Sequence, residues 1–72
     1  MIKATHYLGE IKRYVAVLRC TSHPNMRTQS VLVFAPSKRD ARQLAIDKIK
    51  ANYERHMDMV TEWKVVTDPT EA

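Results

Sequence analysis

The sequence predicts an α+β domain of ββαβ order, with a three-stranded antiparallel or mixed sheet (strand order 2-1-3) and one helix packed on one face. Three observations predict it. Two β-branched runs, RYVAVLRC from Arg13 and QSVLVFA over Gln29–Ala35, flank a segment of turn-forming residues. A stretch free of Gly and Pro then runs from Ser37 to His56 with helical periodicity. A last apolar run, VTEWKVVT over Val60–Thr67, follows it.

The first strand is expected from Arg13, where Tyr, Val and Leu alternate without a breaker. Ser22–Arg27, SHPNMR, gathers Ser, Pro and Asn, so the chain should turn there and return as the second strand of a hairpin. Pro36 cannot continue a ladder, and Ser37 with Asp40 matches the S-x-x-D capping box that opens helices. Ala41, Ala45, Ile46, Ile49 and Tyr53 fall within one arc of a 3.6-residue wheel, opposite Asp40, Gln43, Asp47 and Glu54. A right-handed crossover through this helix places the third strand beside the first. The whole chain, 1–72, reads as one domain. Residues 1–10 are expected to add a strand or an arm, and Asp68–Ala72 to form a polar, frayed tail.

A chain of 72 residues has room for one modest core. It is 44% hydrophobic with a single glycine, too apolar for disorder, and its net charge of +4 inclines it mildly toward acidic partners. One cysteine, Cys20, excludes an intramolecular disulfide and suits a reducing compartment. MIKATHY at the start has no apolar core of a signal peptide, and the longest apolar runs are far too short to cross a bilayer. The expectation is a cytoplasmic protein with no membrane partner, in the host cytoplasm if phage-encoded.

The most informative feature is a second apolar face. A strand exposed on one side should alternate apolar and polar residues. Instead Tyr14, Ala16, Leu18 and Cys20 share one face and Val15 and Val17 the other. Strand two divides into Leu32 and Phe34 against Val31, Val33 and Ala35, and strand three into Trp63 and Val65 against Val66. One helix covers one face, and each large side chain left fully exposed on the other forgoes about 1.5–3 kcal/mol. A contiguous patch of this kind marks an interface. The alternatives are that residues 1–10 fold across it, or that a small patch is simply exposed. The partner-binding candidates are Tyr7, Val15, Val17, Val31 and Val33.

Catalytic and metal chemistry find little support. Cys20 and His23 make one C-x-x-H pair, whereas a structural zinc site takes four ligands, usually from two such pairs. The same pair lacks an evident orienting group and oxyanion hole. The sole glycine, Gly9, excludes a glycine-rich phosphate loop. No catalytic residue, metal or cofactor is expected. Nucleic-acid contact has better candidates in Arg27 on the hairpin loop and Lys38, Arg39 and Arg42 at the helix start, where cations oppose the helix dipole. Core packing is expected for Tyr14 and Trp63, and exposure for Tyr7.

The arrangement YVAVLR…SVLVFAPSKRDARQLA…WKVV resembles small phage and mobile-element accessory proteins of ββαβ form, some anti-CRISPR inhibitors among them. The likeness spans residues 13–67 and rests on element order and the Ser37–Ala41 stretch, so no functional residue carries over. It implies a non-catalytic inhibitor or modulator docking on host nucleic-acid machinery, with a host protein or nucleoprotein complex as partner. The alternatives are a direct nucleic-acid binder and a homodimeric scaffold.

Overall fold

The computed structural model describes residues 11–72. Strand β1 (Lys12–Cys20), strand β2 (Gln29–Ala35), helix α1 (Lys38–Met57) and strand β3 (Trp63–Glu71) follow in that order. The sheet order is β2-β1-β3, and β1 is antiparallel to both neighbours. This is the expected ββαβ architecture, with α1 over one face. The added strand or arm expected of residues 1–10, Tyr7 included, lies outside the described residues.

Turn chemistry joins β1 to β2. The Met26 N–H donates to the His23 carbonyl at 3.0 Å, closing a turn with Pro24 and Asn25 at its centre, positions these residues favour. The return strand keeps regular register, Lys12 opposite Ala35 through Leu18 opposite Gln29. Ser37 caps α1 as its motif requires: its Oγ accepts from the Asp40 N–H at 3.3 Å, and its backbone is extended. The helix stops at Asp58, which takes the left-handed conformation (φ 51°, ψ 42°), while the Asp58 and Met59 N–H groups turn back to the Tyr53 carbonyl.

The core lies between α1 and the sheet. Tyr14, Ala16, Leu18 and Cys20 of β1 meet Val31, Val33 and Ala35 of β2, Trp63 and Val65 of β3, and Ala41, Ala45 and Ile49 of α1. The alanines bring the helix backbone close to the sheet, and Ile46 and Tyr53 close the β3 side. The Tyr53 and Trp63 ring centroids are 5.5 Å apart, and the Trp63 indole N–H donates to the buried Thr61 hydroxyl at 2.7 Å. Tyr14 and Trp63 are core residues, as expected.

The tail departs from expectation. Residues 68–72 do not fray: β3 runs to Glu71, Pro69 is fully buried, and the Ala72 N–H donates to the Arg13 carbonyl at 2.9 Å. Two shifts in the β1–β3 register make this possible. Leu18 opposes Val65 but Val17 opposes Thr67, and Val15 opposes Thr70, so β3 holds extra residues at two bulges. A bulge tolerates proline, which lacks the ladder N–H, and here it turns the Pro69 ring into the core.

Candidate functional site

The face of the sheet opposite α1 is uncovered among the described residues. It is assembled by alternation: Val15 and Val17 project from β1 between buried neighbours, and Leu32 and Phe34 project from β2 in the same way. Register then fixes the neighbours. Val15 stands across from Leu32, and Arg13 across from Phe34, the most exposed of the four apolar residues at 62%. On the other side of β1, Arg19 stands across from Lys64, while Val66 at the first bulge adds a partly exposed apolar side chain.

Register also corrects the candidate list. Val31 and Val33 do not share a face with Val15 and Val17. They stand opposite Ala16 and Tyr14 and are buried beneath α1. Directly opposed residues of an antiparallel pair point to the same side, so the β2 residues on the uncovered face are Leu32 and Phe34. Alternation within each strand was readable from sequence, whereas the match between strands depends on which residues pair across the hairpin.

Charge on this face is of one sign. Arg13, Arg19 and Lys64 each alternate with buried residues and so emerge on the uncovered side. The three acidic residues in and before β3 are drawn elsewhere. Glu62 pairs with Lys50 at 3.4 Å and Glu71 with Lys12 at 3.5 Å, while Asp68 pairs with Arg42. Lys50 and Arg42 belong to α1, and Lys12 and Glu71 lie on the helix side by alternation. Arg13 donates to the Ala72 main-chain oxygen at 3.4 Å, and among the described residues no aspartate or glutamate pairs with Arg13, Arg19 or Lys64, so the uncovered face joins an apolar centre to cations. Three cations on one sheet face were not singled out by sequence, because their separate strands meet only through the β1–β3 pairing.

The basic cluster expected at Arg27, Lys38, Arg39 and Arg42 is not brought together. Arg27 belongs to the hairpin loop, and Lys38 and Arg39 to the opposite end of the sheet, with β2 between them. At about 3.3 Å per residue its seven residues separate the two groups by roughly 20 Å. Arg42 turns to Asp68.

Cys20, Ser22 and His23 do meet. The Cys20 Sγ lies 3.4 Å from the Ser22 Oγ and 3.8 Å from the His23 Nδ1, which is 3.0 Å from the same hydroxyl. The geometry is that of a brace. The thiol is fully buried, and the Ser22 Oγ accepts from the Glu62 N–H at 3.0 Å, tying the hairpin loop to the strand that follows the helix. The Thr21 N–H donates to the Glu62 carbonyl at 2.8 Å and completes the tie. Among the described residues no group of three or more His, Cys, Asp or Glu is placed to hold a metal ion, and no helix is long and apolar enough to cross a membrane.

No family model, curated protein or solved structure matches the chain.

Proposed function

We propose that the chain is a non-enzymatic binding protein that docks through the uncovered sheet face onto a protein of nucleic-acid-handling machinery. It would act as an inhibitor or modulator, as the anti-CRISPR inhibitors among the small phage accessory proteins it resembles do. The observation that carries this reading is the composition of that face: Val15, Val17, Leu32 and Phe34 framed by Arg13, Arg19 and Lys64. An apolar centre with a charged rim is the usual anatomy of a protein interface. The partner it fits has an apolar patch bordered by carboxylates, the charge complement of this face.

Two features favour an outside partner over a scaffold of two copies. Pairing the face with itself would set Arg13, Arg19 and Lys64 near the same cations of a second copy, at a cost in like-charge repulsion. Arg19 and Lys64 already stand opposed within one chain, a conflict that an anionic partner relieves.

Direct contact with nucleic acid is the second reading, favoured by the same cations and by Phe34, exposed on a sheet as a stacking platform for bases. Affinity capture with the intact chain separates the two. On the first reading a defined protein is retained after nuclease treatment and lost with Val17→Glu. On the second, binding of single-stranded nucleic acid weakens steeply as salt is added and is lost with Phe34→Ala. Retention of the same proteins by wild type and Val17→Glu would remove the first reading.

A further inference from the structure

The two edges of the sheet are built differently. The β3 edge carries two bulges and Pro69, devices that stop another strand from pairing there. The β2 edge has none of them. Its sequence, QSVLVFA, holds no charge, proline or glycine, and its register against β1 is unbroken. Among the described residues nothing pairs with its outer side.

The orientation of that edge follows from hydrogen bonds on the far side of β1. The Arg13 carbonyl accepts from Ala72 and the Thr21 N–H donates to Glu62, so the odd-numbered residues of β1 direct their backbone groups to the β3 side. The β2 residues opposite them, Ser30, Leu32 and Phe34, therefore turn their N–H and C=O groups outward, away from the sheet. One of these groups is occupied. Lys48 reaches down from α1, and its Nζ donates to the Leu32 carbonyl at 2.7 Å. Beside this edge runs a groove of about 530 Å³ between β2 and the second half of α1, lined by Lys48, Asn52, Tyr53 and Arg55 on the helix side. No carboxylate lines it.

We infer that the β2 edge and its groove accept an extended acidic segment of another protein as a fourth strand. The incoming N–H groups would meet the outward carbonyls of Ser30, Leu32 and Phe34, and main-chain bonds of this kind supply the affinity of strand addition. One incoming N–H replaces the Lys48 ammonium on the Leu32 carbonyl. The freed ammonium, with the Arg55 guanidinium, then pairs with carboxylates on the incoming strand. Alternation fixes the rest of the preference. Side chains on the helix side enter the basic groove, and those on the other side extend the surface of Leu32 and Phe34. The segment that fits alternates acidic and apolar residues.

Charge selects this occupant over two others. A second copy pairing about a two-fold axis at Leu32, the middle of β2, would bring Lys48 against its own copy. The chain's own residues 1–10, MIKATHYLGE, set Lys3 against Glu10 and bring no surplus of carboxylates to the groove.

The inference does not rest on docking at the uncovered face, and one experiment separates them. The probe is a short capped peptide alternating glutamate and valine, added to the full chain while backbone amide exchange is followed by NMR. The peptide is expected to protect the Ser30, Leu32 and Phe34 amides. Lys48→Glu with Arg55→Glu, both at exposed or partly exposed helix positions, should weaken binding about tenfold. Val17→Glu, on the central strand, should leave it unchanged. Failure to protect these amides would overturn the inference, as would equal protection by a matched capped peptide alternating lysine and valine. Loss of binding in Val17→Glu would place the peptide on the uncovered face instead. Protection before any peptide is added would mean that the edge is already covered by a second copy or by the chain's own residues, and would equally overturn it.

Discussion

Arg19 of β1 stands directly across from Lys64 of β3, two cations opposed on the uncovered face of the sheet. Opposed like charges destabilise a strand pair, whereas an opposite-charge pair contributes about 0.2–1 kcal/mol. Local stability would favour a glutamate at one of these positions. The cationic pair instead extends the field of the face whose apolar centre is Val15, Val17, Leu32 and Phe34.

Lys64→Glu should therefore stabilise the isolated chain and weaken partner binding. The expected gain is about 0.2–1 kcal/mol, a rise of a few degrees in Tm for a domain of this size. Thermal unfolding measured beside partner capture checks both signs. A variant that loses stability would show that Lys64 serves the fold rather than the face.

Leu18→Ala should come close to unfolding the protein. Leu18 is fully buried at the centre of the sheet, and such truncations cost about 2–5 kcal/mol. A domain of this length has little more than that in reserve. Urea titration followed by circular dichroism should show the midpoint collapse toward zero denaturant.

The two ends of α1 make opposite predictions. Ser37→Ala removes the acceptor for the Asp40 N–H and should cost about 0.5–2 kcal/mol. Asp58→Gly relieves a left-handed residue that carries a Cβ and should add about 0.5–1 kcal/mol. Chemical denaturation of both variants tests the capping geometry at each terminus.

Cys20 should behave as a structural thiol. It is fully buried and braced by Ser22 and His23, so alkylation of the native chain is expected to run at least about 100-fold slower than of the unfolded chain. Rapid native alkylation would reopen the case for a reactive cysteine.

Much of this architecture was legible in the residues. β2 begins and ends where QSVLVFA does, the Ser37–Asp40 box opens α1, and the arc from Ala41 to Tyr53 is the face that packs. These features are local, set by neighbours within a few positions along the chain. What the sequence obscured depends on pairing between strands. Val31 and Val33 look equivalent to Leu32 and Phe34 until register sets them opposite Ala16 and Tyr14. The end of β3 looked like a frayed tail because Asp68, Thr70 and Glu71 are polar, and only the bulges reveal how Pro69 becomes buried. The basic residues at Arg27 and Lys38 were linked by type, although a full strand separates them. The cations that do share a face, Arg13, Arg19 and Lys64, come from both ends of the sequence.

Placement of a photo-crosslinking side chain tests the proposed docking face most directly. A benzophenone amino acid replaces Phe34 on the uncovered face in one variant and Leu44, partly exposed on the helix, in another. Irradiation in cells that contain the partner is expected to give a discrete protein adduct from position 34 and none from position 44. Adducts from position 44 alone, or the same diffuse pattern from both, would contradict docking through the sheet.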